Sequence, residues 1–408
     1  MIQLDKARSL VAVGAIAIIV GACSSGGTAT TAPTAAPASA APASQAPASA
    51  PASAPASAAA SAPASQAAGG LQAGSYKIGY SNGGGVGNGF REEQVCTAKA
   101  QWKAYGGDPS ALTVIHRNTD AAGQLADIRN LIAKNVNAIV FNPNDPEALN
   151  PALAEAKAAG IKTVSVDAYV TDPDAWNLYN NQVKYAELGA KWLFDQLGGK
   201  GTVWYTRGIA GNSADSDRDV GFKNVLKSYP GITVVPSPDG VATGWDPATA
   251  TKLTNDFIAS GGYDKITGIW ASGMGKQIVD AIKANGKKFV PIADADVGGF
   301  VTQLLDTTNF PGLKGAAVTN TAAVGGAGIT LALKLLNGDT VTPSTGATQP
   351  NTVLLDPVVV DNLTADGQAK LKAWQSVPGM DPLWPLSLSV DGWTTYDPNT
   401  VPAGCKGA

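Results

Sequence analysis

Apolar and polar positions alternate along this chain with two distinct periods. Between Gly123 and Asp167, Leu125, Ile128 and Ile132 recur at helical spacing, the apolar run Val136 to Phe141 has strand length, and Leu149, Leu153 and Ala156 form a second helical stripe. Ile161 to Val166 is another buried-looking strand. Asp145-Pro146 supplies an N-cap and first-turn proline, Asn150-Pro151 offers a second start or a kink, and Gly160 stops that helix. The order predicts a right-handed βαβ unit in a parallel sheet. Its loops at the strand C-termini, Asn142 to Asp145 and Asp167 to Tyr169, face a ligand crevice.

The same alternation begins earlier and then starts afresh. Tyr76 to Tyr80 and Leu112 to Ile115 read as strands, with Thr119 or Asp120 capping the helix that follows the second. A helix spans Tyr185 to Leu197 and ends at Gly198-Gly199. Next come a strand from Gly201 to Tyr205, a polar loop from Gly208 to Asp219, a helix from Val220 to Tyr229 and a strand from Ile232 to Val235. Trp245-Asp246-Pro247 caps a helix to Ile258. Ile266 to Trp270 is a strand, Gln277 to Ala284 a helix, and the strand Phe289 to Ile292 ends in Asp294-Ala295-Asp296. Two successive runs predict two similar α/β lobes. A strand from Val353 to Val360, a helix from Ala365 to Trp374 and a Pro- and Trp-containing tail complete the chain.

The N-terminal pattern is different. Lys6 and Arg8 precede an apolar run from Leu10 to Val20, which reads as an export signal and is short for a membrane span. From Ser24 to about Gly70 the chain is Ala, Pro, Ser, Thr, Gly and Gln with no charged residue, too poor in bulky apolar side chains to offset its ordering entropy. It reads as a tether able to reach on the order of 100 Å where it adopts polyproline II.

Charge and rare residues narrow the chemistry. Lys plus Arg number 29 against 32 Asp plus Glu, and no basic cluster appears, so nucleic acid is not an expected partner. The single histidine, His116, makes serine–histidine catalysis or a multi-histidine metal site hard to build. Besides Cys23 there are only Cys96 and Cys405, which in an oxidising compartment suggest a disulfide closing a loop of about 310 residues. The glycine run after Ser81-Asn82 does not complete GxGxxG and lacks a P-loop lysine. Asp215, Asp217 and Asp219 have EF-hand-like spacing, but Val220 and Leu226 stand where glycine and glutamate are required, and Asp294-Ala295-Asp296 also lacks the distal glutamate. No metal, cofactor or catalytic residue is expected.

Across about residues 75 to 340 the chain resembles the periplasmic sugar-binding proteins of ABC transporters, the ribose- and xylose-binding group. The resemblance is carried by Gln124 through Asp167, with NPNDPEALNPAL and AAGIKTVSVD, by GGKGTVWYTRGIAGNSADSDRDVGF, by GWDPATA and by the Gly315 to Gly338 stretch. Val20-Gly21-Ala22-Cys23 looks like a bacterial lipobox, which implies a lipid on Cys23 that anchors the protein to the outer face of the cell membrane. The resemblance implies a type I periplasmic binding protein: two doubly wound parallel-sheet lobes joined by hinge strands, crossing near Asn180, Asn320 and Gln349. The corresponding division is a signal peptide at 1–22, Cys23 and the tether at 23–70, a first lobe of 75–180 plus 321–349, a second of 181–320 plus 350–364, and an extension at 365–408.

Sugar recognition needs planar groups that pair hydroxyls and aromatics that stack on C–H faces. The candidates are Asn82, Asn88, Phe90, Arg91, Asp145, Asp167 and Tyr169 from the first lobe. Asn181, Gln182, Arg218, Trp245, Asp294 and Asn320 are those from the hinge and second lobe. Asp167 matches the family's aspartate after the fourth strand, Arg218 its ligand arginine, and Trp245 and Phe90 stacking aromatics. Ala168 stands where the ribose-binding pattern has arginine, and Ser272-Gly273-Met274 replaces an expected amide, so the pocket copies no one relative. The implied role is that of a monomer delivering a sugar to an ABC permease. A sensory protein presenting sugar to a membrane receptor is the second reading. A glycoside hydrolase using carboxylates among Asp145, Asp167, Asp215 and Asp294 is the third.

Overall fold

The computed structural model describes residues 70–84 and 88–405; the export signal, Cys23 and the tether lie outside the described residues. The first lobe opens with β1 (Ile78–Asn82), α1 (Gly89–Ala104), β2 (Leu112–His116), α2 (Ala121–Ala133), β3 (Ala138–Asn142), α3 (Asn150–Ala158), β4 (Lys162–Val166) and β5 (Trp176–Asn180). The second holds α4 (Gln182–Gln196), β6 (Lys200–Arg207), α5 (Ser213–Leu226), β7 (Gly231–Val235), β8 (Val241–Ala242), α6 (Pro247–Ala259), β9 (Gly268–Trp270), α7 (Gly275–Ala284), β10 (Ile292–Ala295), α8 (Gly298–Leu305) and β11 (Gly315–Val318). The chain continues through α9 (Val324–Asn337), β12 (Thr352–Leu355), β13 (Val359–Asp361), α10 (Ala365–Trp374) and α11 (Val401–Gly404).

One sheet has the order β12-β5-β4-β3-β1-β2, all parallel. The other has β13-β11-β10-β9-β6-β7, parallel except for β13, with β8 paired to β6 beyond the main path. These are two doubly wound α/β sheets with helices on both faces, the architecture that the sequence resemblance implies. β1 and β3 are buried along their whole length, as a strand covered on both faces must be. In the first lobe α1 and α9 cover one face through Val95, Trp102, Ile329 and Leu331, and α2 and α3 cover the other through Ile128, Leu131 and Leu153. In the second, Tyr185, Phe194 and Phe222 pack one face, and Ile258, Ile278 and Phe300 the other.

Local chemistry sets the helix starts. Asp120 accepts from Gly123 N at 2.8 Å to cap α2, and Asp246 accepts from Thr249 N at 2.7 Å ahead of Pro247 in α6. α3 begins at Asn150, the later of its two candidate starts. Asp145 instead closes a turn by accepting from Glu147 N and Ala148 N, each at 2.8 Å.

Three elements depart from expectation. The segment Ser213 to Asp219, read as loop because of its aspartates, is the first half of α5. Asn212 caps it, and Asp215 in the first turn complements the helix dipole. Asp294 lies inside β10 rather than after it, because that strand starts at Ile292 and not at Phe289. The single strand expected over Val353 to Val360 is two strands in different sheets, so the third crossing falls between Leu355 and Val359 rather than near Gln349. The other crossings follow Asn180 and β11.

Candidate binding site

The C-terminal ends of the strands in both sheets, with the N-termini of α1 and α5, surround a cavity of about 80 Å³. That is room for several water molecules, since a single water needs roughly 10–15 Å³. Its charged lining comes from both lobes and is buried: Asp167, Arg91 and Arg218 are 9 %, 6 % and 4 % exposed.

On the first-lobe side the polar groups form layers. Asp167 lines the cavity, and its Oδ2 accepts from Asn142 Nδ2 at 3.1 Å. Asn142 Nδ2 also donates to Gln94 Oε1 at 2.9 Å, which takes a further bond from Asn82 Nδ2 at 3.2 Å. Asn82 Oδ1 in turn accepts from Arg91 Nη1 at 3.1 Å. Asn82 is thus a fully buried positioning residue behind Arg91, while Arg91, Phe90 and Asn88 line the cavity. Asn88 caps α1 through Oδ1, which accepts from Arg91 N at 3.3 Å. Burial pushes the Asp167 carboxyl upward, and the Arg91 and Arg218 guanidinium groups pull it back.

The second-lobe side is built around Arg218 on α5. Its guanidinium lies 4.2 Å from the Tyr185 ring centroid and 5.4 Å from that of Trp245. Nε donates to Gln182 Oε1 at 2.8 Å and Nη1 to Ser272 Oγ at 3.2 Å. Gln182 Nε2 donates to Asn320 Oδ1 at 3.0 Å, so a residue just past the first crossing holds one at the second. Asn320 lines the cavity with its Nδ2 unspent among the described residues. Trp245 is fixed by a 2.5 Å bond from Nε1 to Ser272 O. A Cβ on Gly208 would lie 2.0 Å from the Trp245 ring, so that glycine is what lets the indole lie flat.

The sequence-derived candidates therefore separate. Asn88, Phe90, Arg91, Asp167, Arg218, Trp245 and Asn320 line one cavity; Asn82 and Gln182 stand directly behind it. Asp145, Tyr169, Asn181 and Asp294 do not line it. Tyr169 packs against Tyr179 with ring centroids 5.8 Å apart, and Asn181 caps α4 and reaches Asp356. Asp294 accepts from Gly273 N at 2.6 Å and Gly275 N at 2.7 Å, shaping the loop into α7 rather than facing a ligand. Burial pushes its carboxyl up to about 6 against those bonds. Sequence reasoning missed Met274, Gln277, Val297, Leu383 and Pro385. Met274 belongs to the Ser272-Gly273-Met274 departure and Gln277 follows it closely, so that departure was a visible signal; Leu383 and Pro385 arrive from the tail with none.

Among the acidic side chains only Asp167 lines the cavity within the described residues. Asp215 is held by Arg207 Nη2 at 2.6 Å and Gly208 N at 2.6 Å. Among the described residues no group of three or more His, Cys, Asp or Glu could hold a metal ion.

A family model described as a periplasmic binding protein domain matches residues 78–340. A xylitol-binding protein of Mycolicibacterium smegmatis is 29 % identical over 227 residues, covering 55 % of this chain and 63 % of that protein. The ribose import binding protein of Bacillus subtilis is 25 % identical over 182 residues, covering 44 % and 57 %. The chain thus spans about six-tenths of the length of the curated relatives it matches. Among solved structures, an ABC transporter solute binding protein from Thermobispora bispora superposes with a TM-score of 0.64 at 25 % identity, covering 78 % of this chain and 92 % of that one. One from Mycobacterium smegmatis with bound glycerol gives a TM-score of 0.61 at 26 % identity, covering 74 % and 97 %.

Proposed function

This chain belongs to the periplasmic binding protein domain family, and from that premise we propose that it captures one monosaccharide or related polyol between its lobes and delivers it to an ABC import permease. The observation that carries the reading is the cavity lining: one buried carboxylate, two buried guanidinium groups from opposite lobes, an amide unspent among the described residues and an indole around one space. Asp167 accepts from hydroxyls, Arg91 and Arg218 donate to them, and Trp245 and Phe90 cover C–H faces. Because these groups come from both lobes, ligand contacts are complete only when the lobes close, with the three crossings as the hinge.

The lipid on Cys23 and the tether hold the lobes outside the cytoplasm near the permease, and the protein works as a monomer. A hydrolytic role is disfavoured by the engagement of Asp145, Asp215 and Asp294 elsewhere, since glycoside hydrolysis needs two carboxyl groups flanking one bond. The test is a thermal-shift and calorimetric screen of the full chain against pentoses, hexoses, pentitols and inositols. A ligand at about a hundred times its dissociation constant raises stability by roughly 2.7 kcal/mol, so one cognate sugar is expected to stand out. Intact sugar recovered after binding supports a receptor. Cleavage of a glycoside, or no shift with any sugar or polyol, overturns the reading.

A further inference from the structure

The tail beyond α10 crosses from the second lobe to the first and forms one wall of the cavity. Pro382 O and Trp384 O accept from Gly299 N and Gly298 N at 2.7 and 2.8 Å, at the start of α8. Leu386 N donates to Asp296 O and Ser387 N to Asp296 Oδ2, both at 3.0 Å. On the other side the tail meets the first lobe: a Cβ on Gly89 of α1 would lie 2.5 Å from Leu383 O, and Thr330 Oγ1 donates to Trp393 O at 2.6 Å. Leu383 and Pro385 line the cavity, while Trp384 between them packs with Cys96, Leu388 and Tyr396.

This wall presents apolar side chains and no free donor among the described residues. Leu383 N is spent on Asp381 Oδ1 at 2.7 Å, the Pro382 and Trp384 carbonyls on α8, and Pro385 has no N–H. Val297, bridged to Pro385, and Met274 extend the apolar surface, whereas Asp167, Arg218 and Asn320 supply polar groups elsewhere in the same cavity. A hydroxyl oxygen pressed against the apolar side chains of Leu383 and Pro385 would meet no donor from this stretch, whereas a methyl or methylene there needs none. We propose that the Leu383–Pro385 wall is a specificity determinant that selects a deoxy monosaccharide, its polar edge toward Asp167, Arg218 and Asn320 and its hydroxyl-free edge on the tail. The proposal rests on the sugar-binding reading above.

The test titrates the full chain with matched pairs that differ by one hydroxyl: fucose and galactose, rhamnose and mannose, 2-deoxyribose and ribose. In the pair that binds most tightly the deoxy member is expected to win by about tenfold or more. Leu383→Ser, and independently Pro385→Ala, which restores an N–H, should each narrow that ratio at least about threefold by tightening the hydroxylated sugar; thermal melts identify the variant that keeps its fold. A hydroxylated sugar bound as tightly as its deoxy partner, or a ratio unmoved in the folded variants, overturns the selection while leaving sugar binding intact. Failure of every sugar to bind overturns the underlying reading as well.

Discussion

Asp167 and Trp245 line one cavity from opposite lobes, and each holds its backbone in the left-handed region, at φ 69° and 50°. Aspartate tolerates that conformation better than most residues; a tryptophan there is a clear outlier. Strain of this kind costs about 1–3 kcal/mol and persists only where the surroundings over-determine it, here through Leu178 O on the Asp167 N–H and Ser272 O on the indole. Backbone and side-chain roles at Asp167 can be separated. Asp167→Gly is expected to be more stable than Asp167→Ala by about 1 kcal/mol, since only glycine adopts this φ freely. Both should lose ligand affinity about tenfold or more. Denaturant melts and sugar titrations check the two effects, and equal stability of the pair would remove the strain.

Arg218 should not tolerate its usual replacement. Its planar group is used on three sides at once: Nε on Gln182, Nη1 on Ser272 and a face against Tyr185. Lysine offers a point charge that cannot hold Gln182 while reaching the cavity. Arg218→Ala is expected to weaken binding by about 1.5–3 kcal/mol, and Arg218→Lys to recover less than half of that. Full recovery by lysine in calorimetry would mean that charge alone matters there.

Both sheets and most helices were legible because a buried parallel strand is an apolar run and a helix a periodic stripe. Ile161 to Val166 and Leu149 to Ala156 show this directly. The site was legible where it lies at strand ends, as at Asp167, and where motif likeness pointed, as at Arg218 and Trp245. Asp145 and Asp294 misled because a carboxylate after or near a strand serves equally well as a backbone acceptor, and only geometry decides between the two uses. Leu383 and Pro385 could not be read, since no local period says that an extended tail will fold back between two lobes more than 200 residues away from Asp167 in sequence.

Acid dependence follows from two carboxyls that the fold buries. Burial pushes Asp294 and Asp296 up to about 6, above their ordinary value, despite backbone N–H groups that favour the charged form. A raised carboxyl means that the folded state holds the proton more tightly than the unfolded chain. The contribution to stability is therefore fully present below about pH 4 and lost as pH rises through about 6. Exposed carboxylates such as Asp306 and Asp239, held low by their hydrogen bonds and ion pairs, act in the opposite sense below pH 4. Urea unfolding of the unliganded chain is expected to be most cooperative and most resistant near pH 4.5–5.5 and to weaken by a few kcal/mol toward pH 7.5. Asp294→Asn should cost stability at pH 5, because one amide oxygen cannot serve both Gly273 and Gly275, yet flatten the slope between pH 5 and 7.5. A variant with the wild-type slope would take Asp294 out of this account.

Cys96 on α1 and Cys405 at the end of α11 lie with Cα atoms 5.3 Å apart and 309 residues apart in sequence. We propose that they are bonded when the protein is exposed to an oxidising medium. A closed loop of that length contributes up to roughly 5 kcal/mol in the chain-entropy treatment, and less where the unfolded chain keeps structure. The bond would fix the tail at its far end, beyond Leu388, Tyr396 and Val401, which pack around Cys96. Its loss is then felt first by the tail and only afterwards by the lobes. Cys405→Ser, or mild reduction, is expected to lower the melting temperature by several degrees and to expose the segment after Trp374 to proteolysis before either sheet is cut. Because Leu383 and Pro385 belong to that segment, the same variant should also weaken sugar binding, whereas a pair of cysteines that merely adjoin would leave tail protection, melting temperature and affinity unchanged by reductant.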